Sequence, residues 1–66
     1  MYLDELDNDQ LVTKISEVGT IDSYVRGILT EELDRVDRVI GNLSLTGTDL
    51  TYWLERESLL KEAIQS

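Results

Sequence analysis

The sequence contains no cysteine, histidine or proline, and each absence excludes a class of structure or chemistry. Without cysteine, no disulfide can cross-link the fold and no thiolate can bind zinc. Without histidine, the chain lacks the commonest metal ligand and the usual general base near neutral pH. The absence of proline, together with only four glycines, favours long helices joined by short connections. Catalysis is therefore not expected, and neither is a cofactor or metal.

No long apolar run occurs either, so we expect neither a membrane span of about 18 residues nor a signal peptide. The chain carries 14 acidic and 6 basic residues, a net charge of −8. Such a surface repels phosphate backbones and anionic lipids, which argues against direct binding to nucleic acid or membrane. The charge instead fits a basic partner, or a protein that mimics DNA.

The 66 residues predict one small domain, residues 1–66. A domain of this size buries only about 60% of the surface that its unfolded chain exposes, so its core is marginal. Small domains gain stability from disulfides, metals or partner chains. Because the sequence offers neither cysteine nor histidine, we expect a partner protein, and a copy of the chain itself is the simplest choice.

The longest amphipathic pattern predicts a central helix over about residues 21–40. Its apolar residues recur every three or four positions on one stripe: Val25, Leu29, Leu33, Val36, Ile40 and Leu43. Its opposite face carries the charged residues Glu31, Glu32, Asp34, Arg35, Asp37 and Arg38.

Several features define how this helix should begin, pair and end. Thr20 is the predicted N-cap. Gly27, which weakens a helix, predicts the close approach of another helix. Glu31 and Arg35 are spaced for an ion pair, as are Asp34 and Arg38, and Gly41-Asn42 is expected to end the helix.

A first helix is predicted over about residues 8–18. Asp7 and Gln10 have the spacing of a capping box, and Leu6 and Leu11 are placed to form a hydrophobic staple. Gly19 suits the left-handed residue that follows a helix end.

A third helix is predicted over about residues 47–64, with Thr46 as N-cap and Asp49 at the third helical position. The expected apolar face consists of Leu50, Trp53, Leu54, Leu60, Ala63 and Ile64. Glu57 interrupts this face and is expected at its edge. The joint before the helix is only about five residues long, which predicts an antiparallel hairpin with the central helix. The chain is therefore predicted to be all-α, with three helices.

Two groups of residues are candidate partner contacts: the acids Asp4, Glu5, Asp7 and Asp9, and the aromatic pair Tyr52 and Trp53. A calcium loop starting at Asp7 would need an oxygen ligand, glycine and glutamate where this sequence has Leu11, Val12 and Val18, so that motif fails. The acids are mainly expected to be solvated and to cap the first helix. Trp53 is expected to anchor a core or an interface, and Tyr52 to lie beside that face, where it could contact a partner.

Residues 31–65 combine a charged helix, a joint of the form N-L-S-x-T-G-x-D-L, an aromatic residue and a second helix rich in leucine, arginine and glutamate. This half of the chain resembles small helical-hairpin proteins of tailed bacteriophages. The resemblance implies a virion component or an accessory factor of virion assembly, located in the virion or the host cytoplasm.

We therefore expect a non-enzymatic binding or assembly protein that packs against itself or a larger virion protein. The alternative is an acidic inhibitor that occupies the nucleic-acid site of a host enzyme.

Overall fold

The computed structural model describes residues 2–65, without the side chain of Tyr2. A short 3₁₀ helix, Tyr2–Glu5, precedes three α-helices: α1 (Asn8–Val18), α2 (Ser23–Asn42) and α3 (Gly47–Gln65). No strand occurs in this part of the chain. The prediction of an all-α fold with three helices is confirmed.

Helices α2 and α3 form the main packed unit, and they run antiparallel. Arg26, near the start of α2, donates from Nη1 to the carbonyl oxygen of Ile64, near the end of α3, at 2.6 Å. Glu32 and Arg56 meet at the middle of both helices. The predicted hairpin is therefore confirmed, and the shorter α1 packs mainly against α3.

The bounds predicted for α1 agree with the structure because both end signals form. Asp7 is the N-cap, and its side chain accepts a hydrogen bond from the Gln10 amide at 2.8 Å. The Gln10 side chain accepts in return from the Asp7 amide at 3.0 Å, which completes the capping box. Gly19 follows the helix with φ +76° and donates its amide to the Ile15 carbonyl.

Helix α2 begins and ends about two residues later than predicted. Asp22, rather than Thr20, is the N-cap, because its side chain accepts from the Val25 amide at 2.9 Å. At the other end, Gly41 and Asn42 remain helical and the extended residue Leu43 is the C-cap.

Helix α3 begins where predicted, but without the predicted capping box. None of the side-chain hydrogen bonds in the described chain joins Thr46 to Asp49. The helix instead starts at Gly47, whose φ of +62° lies in the left-handed region that favours glycine.

The core consists of six buried apolar residues: Leu3, Leu11, Leu29, Val36, Leu60 and Ala63. Two residues of the predicted apolar stripes are exposed, Leu43 at 58% and Leu54 at 46%. The buried residues of α3 are Arg56, Leu60 and Ala63, so an arginine that the prediction left off the apolar face belongs to the buried face. Glu57 lies at the edge of this face, as predicted.

No helix within residues 2–65 is long and apolar enough to cross a membrane.

Gly27 does not mark a close helix contact, so that prediction is wrong. The residue is exposed, and a Cβ built on it meets no atom within 4 Å. We therefore expect Gly27→Ala to raise the free energy of unfolding by about 0.5–1 kcal/mol, because alanine restricts the unfolded chain and favours the helix. Urea denaturation followed by circular dichroism would measure the change.

Gly19→Ala is the matched control for this prediction. Its site is equally open, but the φ of +76° strains any residue that has a Cβ. This variant should lose about 1 kcal/mol. A Gly27→Ala protein no more stable than the wild type would show that α2 is distorted at this position.

Candidate functional site

An ion pair lies at the centre of the fold, between Glu32 of α2 and Arg56 of α3. Arg56 is 1% exposed and Glu32 is 4% exposed. Arg56 Nε donates to Glu32 Oε2 at 2.8 Å. The expectation that Glu32 belongs to the solvated face of α2 is therefore wrong. It shares the buried face with Leu29 and Val36.

The Arg56 guanidinium also connects the amino-terminal elements to the hairpin. Its Nη2 donates to the Leu3 carbonyl at 2.6 Å, and its Nη1 donates to Asn8 Oδ1 at 3.3 Å. Asn8 Nδ2 in turn donates to the Tyr52 carbonyl at 3.0 Å. One side chain thus contacts the 3₁₀ helix, α1 and α2 from its position on α3. Every buried side-chain nitrogen or oxygen in the described chain has a hydrogen-bond partner.

Arg35 completes this network at its more exposed side. Its Nε donates to Glu32 Oε1 at 2.8 Å and its Nη2 donates to Glu32 Oε2 at 2.7 Å. The predicted Glu31–Arg35 pair is therefore replaced by Glu32–Arg35, whereas the Asp34–Arg38 pair forms at 3.2 Å. The Arg35 guanidinium also lies over the Trp53 ring, 5.5 Å from its centroid, which is a cation–π geometry.

The charge state of Glu32 follows from these contacts. Burial alone would raise its pKa, but the hydrogen bonds from Arg35 and Arg56, with their positive charges, outweigh burial and lower the pKa. The same contact raises the pKa of Arg35, chiefly through its hydrogen bond to Glu32. Glu32 is therefore a buried carboxylate held in its ionised form by two guanidinium groups.

This network orders the fold, but it is poorly placed to bind a ligand. Glu32 and Arg56 are almost inaccessible to solvent, and all their charged atoms are already engaged. Within residues 2–65, no group of three or more acidic side chains is placed to hold a metal ion. A functional surface must therefore be sought on the outside of the bundle.

The acidic residues predicted as partner contacts lie at the start of the fold. Asp4 and Glu5 are exposed in the 3₁₀ helix, and Asp7 caps α1. Asp9 is exposed in the first turn, where its carbonyl oxygen accepts from Thr13 Oγ1 at 3.1 Å. Asp7 has a structural task as the N-cap, and the negative charge of Asp4 acts on Arg35, where it helps to raise the pKa of the guanidinium.

The aromatic pair is half-buried beside this acidic segment. Tyr52 and Trp53 make an edge-to-face contact with their ring centroids 5.5 Å apart, and Trp53 packs against the core. The Asn8–Tyr52 hydrogen bond joins α1 to this part of α3. The structure thus brings the start of α1, which follows the acidic segment, next to Tyr52, whereas Trp53 packs against the core.

A second surface, which the sequence interpretation did not identify, opens between α1 and α2. We call it the α1–α2 groove. It is a depression of about 150 Å³ lined by Leu3, Lys14, Ile15, Val18, Tyr24, Val25, Ile28 and Leu29. Tyr24 is 76% exposed and Val18 is 42% exposed. The groove therefore presents apolar surface to solvent.

A neighbouring depression of about 260 Å³ lies between α1 and α3, lined partly by Val12, Leu59 and Ala63. Ile15 borders both depressions. Leu11 is fully buried, whereas Val18, two turns further along α1, is 42% exposed. The carboxyl-terminal half of α1 is therefore flanked by open apolar surface on both sides.

No protein-family model, curated protein or solved structure matches this chain.

Proposed function

We propose that this protein is a non-enzymatic binding and assembly subunit that packs its helices against another protein or a copy of itself. The observation that supports the proposal is the apolar surface around the α1–α2 groove, where Val18 and Tyr24 remain exposed beside a small core. Exposed apolar clusters of this kind are typical of interaction sites. The resemblance of residues 31–65 to phage helical-hairpin proteins supports a role in the virion or its assembly.

Site-directed photo-crosslinking tests this proposal directly. A benzophenone amino acid at position 24 would sit in the α1–α2 groove, and the same residue at Leu54 provides a matched exposed position on α3. We expect covalent adducts from position 24, with a copy of the chain or a larger protein, and few from position 54. Light scattering over about 10 µM to 1 mM would show whether the adduct reflects self-association, since obligate assembly depends on protomer concentration.

The proposal would fail if the chain stayed monomeric over this range and position 24 gave no more adduct than position 54 in cells or lysate of the source. The circular dichroism of both labelled proteins must match that of the wild type, so that any difference reflects contact rather than misfolding.

The alternative function is inhibition of a nucleic-acid enzyme by an acidic surface. The net charge of −8 favours it. Three arginines, Arg26, Arg35 and Arg38, interleave with the acids of α2, which weakens any resemblance to a phosphate backbone. Recovery of a nucleic-acid enzyme from host lysate, released by salt, would favour this alternative over assembly.

A further inference from the structure

We propose that the α1–α2 groove is the docking site for a basic amphipathic helix of a different protein. This inference rests on the proposed function and specifies the chemistry of its partner. Two properties of the groove carry the inference, namely its apolar lining and the charge of its surroundings.

The lining suits one apolar stripe of a helix. Ile15 and Val18 on α1 face Tyr24, Val25 and Ile28 on α2 across the depression. Tyr24 is the most exposed of the large apolar residues, so it is available to close over an inserted side chain. A helix that repeats apolar residues every three or four positions matches such a groove between two helices.

The segments of the chain that line the groove are rich in acids. Five exposed acids lie within three residues of a lining residue in the sequence: Asp4, Glu5, Glu17, Asp22 and Glu31. Two cations meet the same criterion, Lys14 in the lining and the exposed Arg26 beside Val25, so five acids against two cations leave a local net charge of −3. Lysine or arginine beside the apolar stripe of a partner would therefore meet carboxylates.

The same charges disfavour a second copy as the occupant. A copy also carries a net charge of −8, so a symmetric dimer through this groove would bring its five acids towards those of its partner. Like charges across an interface lower the affinity and slow association. A basic helix would instead bind the acidic protein more tightly and associate with it faster. We therefore assign the groove to a basic partner rather than to self-association.

Three designed peptides of about 18 residues test the assignment by fluorescence anisotropy at low salt. The first has a leucine stripe flanked by lysines, the second has the same stripe flanked by glutamates, and the third is a scrambled version of the first that has no stripe. We expect the first peptide to bind at least about tenfold more tightly than either of the others, because binding needs both the stripe and the positive charge.

Variants of this protein test whether the first peptide binds in the α1–α2 groove. Val18→Ser combined with Tyr24→Ser should weaken binding of the first peptide about tenfold or more, whereas Leu54→Ser should change it less than about twofold. Glu17→Gln combined with Glu31→Gln should weaken it about fivefold, and the remote pair Asp49→Asn and Glu55→Gln should have little effect. All of these positions are exposed or at the surface, and circular dichroism would verify folding.

Equal binding of the scrambled peptide, or an unchanged affinity of the folded Val18→Ser/Tyr24→Ser protein, would overturn the assignment and indicate general attraction to an acidic surface. Absence of binding by the first peptide would overturn it as well. If that peptide failed while position 24 still gave crosslinks, the groove would dock another class of partner and the proposed function would stand. If the crosslinks were to a copy of the chain, the groove would be a self-association site.

Discussion

Replacing Arg56 with alanine is expected to lower the free energy of unfolding by about 3–5 kcal/mol, the range for breaking a buried ion pair from one side. The change leaves the Leu3 carbonyl and Asn8 Oδ1 without the donors that now satisfy them. It also removes one of the two guanidinium groups that hold Glu32. A domain of 66 residues is stable by only about 3–10 kcal/mol, so much of the protein would unfold.

Thermal unfolding followed by circular dichroism measures this effect, and a fall in Tm of more than about 15 °C is expected. Arg38→Ala is the matched control. Arg38 also forms a salt bridge, with Asp34 on the same helix, but its side chain is 67% exposed. Exposed pairs contribute about 0.2–1 kcal/mol, so that variant should remain close to the wild type. An Arg56→Ala protein within about 1 kcal/mol of the wild type would contradict the central role of this side chain.

The pH dependence of unfolding provides a second readout. The pKa of Glu32 is lowered in the folded state, so Glu32 contributes stability above its ordinary pKa and loses that contribution as the pH falls through the folded value. Arg56→Lys keeps a positive charge but cannot reproduce the guanidinium fork that reaches Glu32, Asn8 and Leu3 together. We expect acid unfolding of Arg56→Lys to begin at a higher pH than that of the wild type.

The helices could be predicted from the sequence because their signals are local. The bounds of α1 follow from Asp7, Gln10 and Gly19, which all lie within one turn of its ends. The sequence predicts the start of α2 two residues early because Thr20 and Asp22 are both acceptable N-caps, and only the hydrogen bond from the Val25 amide to Asp22 decides between them. The 3₁₀ helix was missed because four residues contain no periodic pattern.

The sequence interpretation does not identify the buried ion pair, because charged residues are rarely buried and Glu32 is therefore expected on the solvated face. A sequence signal for the pair does exist. Glu32 lies three residues after Leu29 and four before Val36, and Arg56 lies three after Trp53 and four before Leu60. Opposite charges inside two facing apolar stripes indicate a buried pair. The α1–α2 groove, in contrast, depends on how far α1 extends across the hairpin, which no local pattern specifies.

Replacing Leu11 with alanine is the second change expected to have a large effect. Leu11 is fully buried and is the one residue of α1 in the core. Loss of a buried leucine side chain costs about 2–5 kcal/mol through lost burial and the cavity left behind. Helix α1 has 11 residues, and helices shorter than about 12–15 residues are marginal on their own. In Leu11→Ala, helix α1 should therefore unfold before the α2–α3 hairpin does.

Hydrogen exchange can separate these two events. In Leu11→Ala, the amides of α1 should exchange much faster, while those in the middle of α2 and α3 should be affected less. Val12→Ala is the control, because the adjacent Val12 is 44% exposed and should cost less than about 1 kcal/mol. Uniform acceleration across all three helices would show instead that α1 and the hairpin unfold as one unit.

The same variant connects the fold to the proposed activity. The α1–α2 groove takes Ile15 and Val18 from α1, so the groove is lost in molecules whose α1 has left the hairpin, and Leu11→Ala makes such molecules more frequent. Peptide binding should therefore fall in Leu11→Ala in proportion to the fraction of molecules with α1 undocked. Retention of full affinity by a protein whose α1 exchanges freely would place the binding surface on the hairpin alone, towards Tyr52 and Trp53.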